Sequence, residues 1–325
     1  MGISVIIPTF NNIDYLEECI KSVYDSGLDR EYELLLGIDG CEKTLEYIKN
    51  IEINNKTKVF YFPENGGPYI IKNTLAKIAN FDKLLFFDSD DVMELIMITI
   101  CDEGLQKYQI VRPRYLNFKI VNEEKVITNV VGKWGEGVFA IKKEIFLGLN
   151  GFEGWRVAAD SDFLGRLIRN RARFWNTNQV LFHRRVHPNS LTMSKETGFT
   201  SEIRNNYARI SMEKTNFGPL PFLSTGEYNE LVFNKTEPLD LKTFLSEKNE
   251  NFDDKKYKEK KKLISKILNS QEIKPTLTQS NKLNYDDINR NNVAKNNKSK
   301  INSAINRVQN LSNDTKKHFG KKNIK

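Results

Sequence analysis

Three carboxylates lie within four consecutive residues, Asp88-Ser89-Asp90-Asp91. Carboxylates held on one short segment repel each other unless a cation neutralises them. Hard oxygen ligands suit Mg²⁺ or Mn²⁺, and a metal at such a site can bridge a diphosphate and stabilise its charge as it departs. A solvated turn that caps the following helix is the alternative, since aspartate-rich turns are common. The segment therefore predicts either a divalent-metal site or a polar turn.

A second acidic pair, Asp160 and Asp162, opens a segment whose apolar residues Phe163, Leu164 and Leu167 are typical of a buried helix face. A carboxylate in the first turn of a helix is an ordinary cap, because it faces unpaired backbone N–H groups. The other carboxylate is then available to take a proton from a hydroxyl group as a general base. The pair predicts one capping carboxylate and one candidate base.

Other segments offer contacts to a phosphate. His187 shares its segment with three residues that can bind phosphate oxygens, Arg184, Arg185 and Ser190. The glycines of Asn65-Gly66-Gly67 allow backbone to approach a ligand closely, or form a plain turn. Lys72 follows one helical turn later, and either reaches a phosphate or is a surface lysine.

The elements that position these residues follow from the apolar pattern. Four short apolar runs alternate with helical patterns: Ser4–Pro8, Glu33–Ile38, Lys58–Phe62 and Lys83–Phe87. This alternation predicts an α/β domain with a parallel sheet and helices on both faces. Ligands bind beyond the carboxyl ends of such strands. Polar residues follow all four runs: Thr9-Phe10-Asn11, Asp39, Asn65 and Asp88–Asp91.

Beyond residue 105 the pattern predicts further elements and then a tail. Three more strands are predicted, at Gln109–Arg114, Tyr115–Val121 and Glu124–Val131. A glycine-rich loop at Trp134–Gly137 precedes a strand and a helix, and Asp160–Arg169 is another predicted helix. From Lys248 onward the chain is rich in Lys and Asn, which predicts a largely disordered tail with one basic helix at Lys255–Leu268.

Charge is unevenly distributed along the chain. The whole chain has a net charge of +8, but residues 241–325 contain 21 Lys and Arg against 9 Asp and Glu. That part has a net charge of +12, so residues 1–240 have a net charge of −4. A flexible cationic tail binds polyanions through counterion release, or only keeps the chain in solution.

Several classes of protein are disfavoured. No apolar run reaches the roughly 18 residues that span a bilayer, and the N-terminus lacks the charged region of a signal peptide. Three cysteines without a Cys-x-x-Cys pair predict neither a disulfide framework nor a zinc site. The P-loop, dinucleotide-binding and nucleophile-elbow motifs are absent. We therefore expect a soluble, cytoplasmic protein without transmembrane segments.

Seven segments, in order, resemble those of the family 2 glycosyltransferases with the GT-A fold. They are Ser4–Asn11, Asp39-Gly40, Glu64–Asn73, Phe87–Asp91, Gly137–Phe146 with Gly151-Phe152, Asp160–Asp162 and Arg185–Ser190. The resemblance extends from Ile3 to Thr192 and implies a GT-A domain at residues 1–200, a Rossmann-like mixed α/β sheet with helices on both faces. We expect residues 201–247 to pack on this domain and residues 248–325 to form the basic tail.

The resemblance also implies a reaction. A sugar moves from a UDP-, GDP- or dTDP-sugar to an acceptor hydroxyl, with Mn²⁺ or Mg²⁺ and usually with inversion at the anomeric carbon. The residues it implies for the nucleotide sugar are Pro8, Thr9, Asn11, Asp39, Asn65, Gly67, Lys72, Asp88 and Ser89. It implies Asp90 and His187 for the metal, and Trp134, Gly135, Glu136 and Trp155 for the acceptor side. The implied base is Asp160, with Asp162 as the alternative.

Three residues depart from the family's pattern. Ile38 stands where many members have a second aspartate, so fewer groups contact the nucleotide base. Lys72 replaces an arginine, which keeps the charge but loses bidentate phosphate binding. Ala159 replaces the first acid of a Glu-Asp pair, which leaves Asp162 open as the base. The membrane helices of processive members are absent, which argues against a polysaccharide synthase.

Other readings fit part of the pattern. The acceptor can be a glycan, a lipid-linked sugar, a protein or a small molecule. A hydroxylated DNA base is a further acceptor, with the basic tail as a tether to DNA. A non-catalytic sugar-nucleotide or glycan-binding protein would explain Ala159 and Ile38. A metal-dependent nucleotidyltransferase normally has a basic glycine-rich loop after the first strand, where this chain has Pro-Thr-Phe-Asn-Asn.

Overall fold

The computed structural model of the chain describes residues 2–129, 132–216, 239–240 and 254–269. Most of the predicted extension at 201–247 and most of the predicted tail at 248–325 lie outside these residues. The last two residues of the strand predicted at Glu124–Val131 lie outside them as well.

The first four strands form the parallel half of the sheet. They are β1 (Ile3–Thr9), β2 (Tyr32–Asp39), β3 (Thr57–Phe62) and β4 (Lys83–Phe86). They lie in the order β3-β2-β1-β4, and each neighbouring pair is parallel. Strands covered on both faces read as continuous apolar runs, and every residue of β1 and β2 is buried. The predicted α/β fold is confirmed here.

Helices cover both faces of this half. They are α1 (Ile13–Ser26), α2 (Glu42–Asn50), α3 (Pro68–Ile78) and α4 (Met97–Lys107). Alternate residues of a strand point to opposite faces, so β1 contributes to two cores. Val5 packs with residues of α1, α2 and α4, whereas Ile6 packs with residues of α3.

The later strands turn the sheet into a mixed one. They are β5 (Val92–Met93), β6 (Ile110–Val121), β7 (Glu124–Ile127), β8 (Lys133–Trp134), β9 (Phe139–Lys142) and β10 (Phe174–Arg185). Strand β9 lies antiparallel between β4 and β6, and β10 runs parallel to β6. The prediction of two strands at 109–121 was wrong, because β6 continues through Pro113. Proline has no N–H to donate, and the register of β10 shifts opposite it, between Asn176 and Val180.

Three helices complete the second half of the domain. They are α5 (Lys143–Gly148), α6 (Ala159–Arg169) and α7 (Glu202–Asn216). Phe163 of α6 stacks on Phe139 of β9, with ring centroids 6.0 Å apart and planes 9° apart. It also packs edge-on against Phe146 of α5 at 5.1 Å. This aromatic packing fixes the start of α6 relative to the sheet.

Two later segments also lie against the domain. Strand β11 (Leu239–Asp240) pairs antiparallel with β3. A basic helix was predicted at 255–268, and α8 occupies Asp254–Asn269. Ile264 of α8 is buried in the core that α1 and α4 share, and Lys260 pairs with Asp25 of α1. Among the helices described, none has the length and apolar character of a membrane span.

Candidate active site

The carboxyl ends of β1 to β4 meet at one edge of the sheet, as the sequence predicted. The four ends lead into Thr9, Asp39, Asn65–Gly67 and Asp88–Asp91. Direct hydrogen bonds join them. Asn12, after β1, donates from its side-chain amide to Ser89 Oγ over 2.9 Å. The structure therefore brings the four predicted segments to a common site.

The loop after β1 has an unusual backbone. Pro8 and Thr9 finish the strand and are buried, and Thr9 Oγ1 has no hydrogen-bond partner among the described residues. Asn11 has a φ of +53°, a left-handed conformation that asparagine tolerates better than most residues. Its backbone N–H donates to Thr44 Oγ1 over 3.0 Å, which leaves the Asn11 side chain exposed.

Asp39 holds the loop that follows β3. Its two carboxylate oxygens accept the backbone N–H groups of Gly66 at 2.7 Å and Gly67 at 3.0 Å. Asn65 donates from its amide to the Asp39 carbonyl at 3.2 Å. Burial raises the pKa of the Asp39 carboxyl, although these two N–H groups act in the opposite direction. Gly40 makes the approach possible, since a Cβ there would lie 2.6 Å from Asn65 N.

Lys72 is almost fully enclosed and pairs with Asp88. Its side chain is 2% exposed, and Nζ donates to Asp88 Oδ1 at 2.8 Å and to the carbonyl of Gly137 at 3.1 Å. Desolvation raises the pKa of the Asp88 carboxyl, Lys72 lowers it, and the neighbouring Asp90 raises it further. Direct phosphate binding by Lys72 stays a prediction, because its ammonium group already has two protein acceptors.

Asp90 and His187, the two residues expected to bind a metal, are in direct contact. His187 Nε2 lies 2.9 Å from Asp90 Oδ2. The His187 ring is buried against Tyr15, with ring centroids 4.7 Å apart, and its Nδ1 atom has no partner in the described part of the chain. An adjacent carboxylate oxygen and imidazole nitrogen fit a divalent ion that takes its other ligands from a diphosphate and water. Within the described residues, no group of three or more potential ligands occurs.

Asp91 and Arg185 stabilise the Asp88–Asp91 turn on the side that faces the protein interior. Asp91 is buried, and its Oδ1 accepts the backbone N–H of Arg185 at 2.9 Å. Burial, followed by the charges of Asp90 and Asp88, raises the pKa of the Asp91 carboxyl well above its ordinary value. The Arg185 guanidinium was expected among the phosphate-binding groups. It donates instead to the Asp90 carbonyl at 2.9 Å and to the Glu18 carboxylate.

Asp160 lies at the site, whereas Asp162 lies in the core. A Cβ on Gly137 would be 3.1 Å from Asp160 Oδ2 and 3.9 Å from Lys72 Nζ, so Asp160 and the Lys72–Asp88 pair meet at this glycine. The buried Tyr69 hydroxyl is hydrogen-bonded to Asp160, and burial followed by this carboxylate raises the pKa of Tyr69. Asp160 Oδ1 also accepts the backbone N–H of Ser161 at 3.0 Å.

Both oxygens of the Asp162 carboxylate have partners inside the domain. The side chain is 1% exposed, and Oδ2 accepts Arg166 Nε at 2.8 Å. Oδ1 accepts the hydroxyl of Ser211, on α7, at 3.0 Å. The Arg166 guanidinium continues to the backbone carbonyls of Leu149 and Gly151. This network joins α6, α7 and the loop after α5.

Of the predicted acceptor-side residues, Glu136 is the one that contacts the neighbour of Asp160. The Gly135 N–H donates to the Pro113 carbonyl, and the Gly135 carbonyl accepts Nε of the buried Arg112. Glu136 Oε2 accepts the Ser161 hydroxyl at 3.3 Å, which places it next to Asp160. In contrast, Trp155 stacks on Tyr207 of α7, with ring centroids 4.6 Å apart and planes 3° apart. Trp134 donates from Nε1 to the Thr177 carbonyl at 2.9 Å.

Sequence reasoning missed Asn73, which connects α3 to the segment that follows α5. Its amide donates to the Phe152 carbonyl at 2.8 Å, and its Oδ1 accepts the Phe152 N–H at 2.9 Å. Asn73 is fully buried, so this pair of hydrogen bonds satisfies its amide and joins helix α3 to the segment after α5. The sequence signal that could have identified Asn73 is its position next to Lys72 in the segment Glu64–Asn73, which resembles the family.

Comparisons with known proteins agree with this architecture. Residues 4–107 match the model of the family described as Glycosyl transferase family 2. An uncharacterized glycosyltransferase of Mycoplasma genitalium is 34% identical over 113 residues, which are 33% of this chain and 38% of that protein. A poly(ribitol-phosphate) beta-glucosyltransferase of Bacillus spizizenii is 30% identical over 95 residues, 28% of this chain and 15% of that protein.

Among solved structures, the crystal structure of S. aureus TarS 1–349 in complex with UDP-GlcNAc has a TM-score of 0.52 and 18% identity. The likeness covers 68% of each chain and shows the shared fold. The sequence matches to the two relatives span no more than 38% of the relatives' own length. The family model covers residues 4–107, which contain β1 to β4 and the Asp88–Asp91 turn. Residues 4–107 are therefore similar to glycosyl transferase family 2, and the likeness to the TarS structure shows the GT-A fold.

Proposed function

We propose that this chain is a metal-dependent glycosyltransferase that moves a sugar from a nucleotide-diphosphate sugar to an acceptor hydroxyl, with inversion. The observation that carries the proposal is the convergence at one sheet edge of the Asp90–His187 contact, the Lys72–Asp88 pair and Asp160. These groups supply, within one site, two metal ligands, a buried cation and a candidate base.

In this proposal the donor binds at the carboxyl ends of β1 to β4. Pro8, Thr9 and Asn11 would border the nucleotide, and the Thr9 hydroxyl, which has no partner among the described residues, would be available to it. Asp90 and His187 would hold Mn²⁺ or Mg²⁺. When bound, the metal supplies positive charge to the diphosphate as it leaves. A UDP-sugar is the first donor to test, because the TarS crystal structure contains UDP-GlcNAc.

Asp160 is the proposed base. Its carboxylate adjoins the Lys72–Asp88 pair, whereas both oxygens of Asp162 are engaged with Arg166 and Ser211. In the reaction Asp160 accepts the proton of the acceptor hydroxyl, and that oxygen forms a bond to the anomeric carbon. The bond from this carbon to the diphosphate oxygen breaks, and the nucleoside diphosphate takes the electron pair. Attack opposite the leaving group inverts the anomeric carbon.

The experiment measures nucleoside diphosphate release from the purified full chain, without an acceptor. UDP-, GDP- and dTDP-sugars are each incubated with Mn²⁺, with Mg²⁺ or with a chelator. We expect slow hydrolysis of one donor that requires metal. The release should be lost in Asp90→Ala and kept in Asp82→Ala, which changes an exposed aspartate at the opposite end of β4. Release that is indifferent to chelator and to Asp90→Ala would overturn the proposal.

A further inference from the structure

Arg185 is a buried arginine at the back of the acidic turn. Its side chain is 5% exposed, and its guanidinium lies between two aromatic rings, 4.6 Å from the centroid of Tyr15 and 4.5 Å from that of Phe118. A buried charge is stable only when its hydrogen bonds are satisfied. An arginine enclosed in this way has a role inside the protein and does not face a ligand.

Three hydrogen bonds from Arg185 cross between separate elements. Its backbone N–H donates to Asp91 Oδ1, and its Nε donates to the Asp90 carbonyl, both at 2.9 Å. Its Nη2 donates to the carboxylate of Glu18 on α1. Arg185 therefore connects the end of β10, the acidic turn and α1, and it holds the backbone of Asp90 directly.

The same arginine is linked to His187. Tyr15, which packs under the guanidinium, also packs against the His187 ring at 4.7 Å. The backbone between the two residues is fixed as well, since the Val186 N–H donates to the Phe118 carbonyl at 2.8 Å. The Arg185 side chain thus constrains both residues of the Asp90–His187 contact, Asp90 directly and His187 through Tyr15.

We propose that Arg185 is a positioning residue that sets the affinity of the Asp90–His187 pair for a divalent metal. The inference rests on the proposed function, because it assumes that this pair binds the metal. A metal site requires its ligands to be held within a few tenths of an ångström before the ion arrives. The turn has three carboxylates that repel one another, so it needs a rigid support to keep Asp90 beside His187.

Lysine cannot replace this support. Arg185→Lys keeps the positive charge, but an ammonium group lacks the planar fork that reaches both the Asp90 carbonyl and the Glu18 carboxylate while stacked between rings. We expect the concentration of Mn²⁺ that gives half-maximal donor hydrolysis to rise about tenfold, the usual effect of losing a residue that orients a metal ligand. Activity at saturating Mn²⁺ should change by less than threefold.

The matched control is Arg166→Lys. Arg166 is also a buried arginine, lies 5.0 Å from the Phe163 ring and bonds to a carboxylate and to backbone carbonyls, but on the acceptor side. It should lose a similar amount of stability without any change in the Mn²⁺ midpoint. Mn²⁺ binding in the presence of UDP, followed by electron paramagnetic resonance, gives the same comparison without turnover.

A milder variant covers the case in which Arg185→Lys does not fold. Glu18→Gln replaces the ion pair with Arg185 by a weaker neutral hydrogen bond. Because the Glu18 side chain is 57% exposed, folding should be retained. We expect its Mn²⁺ midpoint to rise about threefold.

Asp90→Ala distinguishes a failure of the proposed metal site from a failure of the proposed role of Arg185. If Asp90→Ala abolishes Mn²⁺ binding while Arg185→Lys and Glu18→Gln bind as tightly as the wild type, the inference fails alone. If Asp90→Ala binds Mn²⁺ normally, the proposed metal site fails, and the inference fails with it.

Discussion

The same three residues, Asp-Ser-Asp, occur twice in this chain, at 88–90 and at 160–162. In the first triplet both aspartates face the candidate site, where Asp88 meets Lys72 and Asp90 meets His187. In the second triplet the aspartates separate. Asp160 lies beside Gly137 at the site, and Asp162 is enclosed in the core with Arg166.

The difference comes from the backbone on which each triplet lies. The first follows β4 in a turn, so its side chains can converge. The second lies in the first turn of α6, where residues two apart point about 200° apart around the helix axis. A helix that shows one aspartate to the cleft must therefore turn the other into the protein. Two aspartates separated by one residue can therefore face the same site when they lie on a turn, but they face different surroundings when they lie on a helix.

The largest effect is expected from Asp160→Asn. The change removes the proposed base without altering its shape, so kcat with a good acceptor should fall by about 10³-fold. The melting temperature should stay close to that of the wild type, since Asp160 is only half-buried. The measurement is steady-state transfer with folded protein verified by circular dichroism. Retention of full kcat would show that Asp160 has no chemical role.

Asp162→Asn should show the reverse pattern. Breaking a buried ion pair by neutralising one partner costs about 3 kcal/mol of folding free energy, because the Arg166 charge stays buried without its carboxylate. Chemical denaturation of the variant and the wild type measures this loss. The folded fraction should retain kcat within a few fold. A variant of normal stability and very low kcat would reassign the base to Asp162 and remove the distinction between the two positions.

Much of this site could be predicted from the sequence, because local pattern and sheet geometry decide it. The apolar runs before Thr9, Asp39 and Asp88 indicate parallel strands, and parallel strands bring their carboxyl ends to one edge. The placement of these residues at a common site follows from that rule alone. The bounds of β6 could not be predicted, because the continuation through Pro113 depends on the irregular register of its partner, β10.

The partners of the charged residues could not be predicted either. Arg185 is 95 residues from Asp90, and Ser211 is 49 residues from Asp162. Nothing in the local pattern around Arg185 separates a buried arginine from one that binds phosphate. The choice depends on whether aromatic rings enclose it, and the enclosing rings come from α1 and β6. Long-range packing, rather than residue type, decides which charges remain available for a ligand.

Gly137→Ala tests whether activity depends on the close approach of Asp160 to the Lys72–Asp88 pair beside Gly137. The added Cβ would lie 3.1 Å from Asp160 Oδ2 and 3.9 Å from Lys72 Nζ, so the carboxylate must shift by a few tenths of an ångström. Because small displacements of a reacting group have large rate effects, we expect kcat to fall by about tenfold with little change in stability. The measurement is kcat for Gly137→Ala, for Asp160→Asn and for the double variant. If the double variant is no slower than Asp160→Asn, the alanine acts through Asp160.

Glu33 extends the comparison to a carboxylate far from the site, at the opposite end of β2 from Asp39. It is buried and accepts hydrogen bonds from Lys58, Ser4 and the backbone N–H of Asn80, as Asp162 does from its own partners. Burial raises the pKa of Glu33, but these partners outweigh it and leave the pKa below its ordinary value. A lowered folded-state pKa gives stability that is fully present above the unfolded pKa of about 4.3 and is lost as pH falls through the folded value.

Glu33→Gln should therefore lower the free energy of unfolding by about 1 kcal/mol at pH 7, since the neutral amide makes weaker hydrogen bonds to Lys58. The difference from the wild type should shrink as pH falls below about 4. Urea denaturation from pH 7 to pH 3 measures both, with the exposed Glu31→Gln as the control. Unlike the variants at the site, Glu33→Gln should leave the metal requirement and kcat unchanged. A pH-independent difference would mean that the charge of Glu33 contributes nothing to stability.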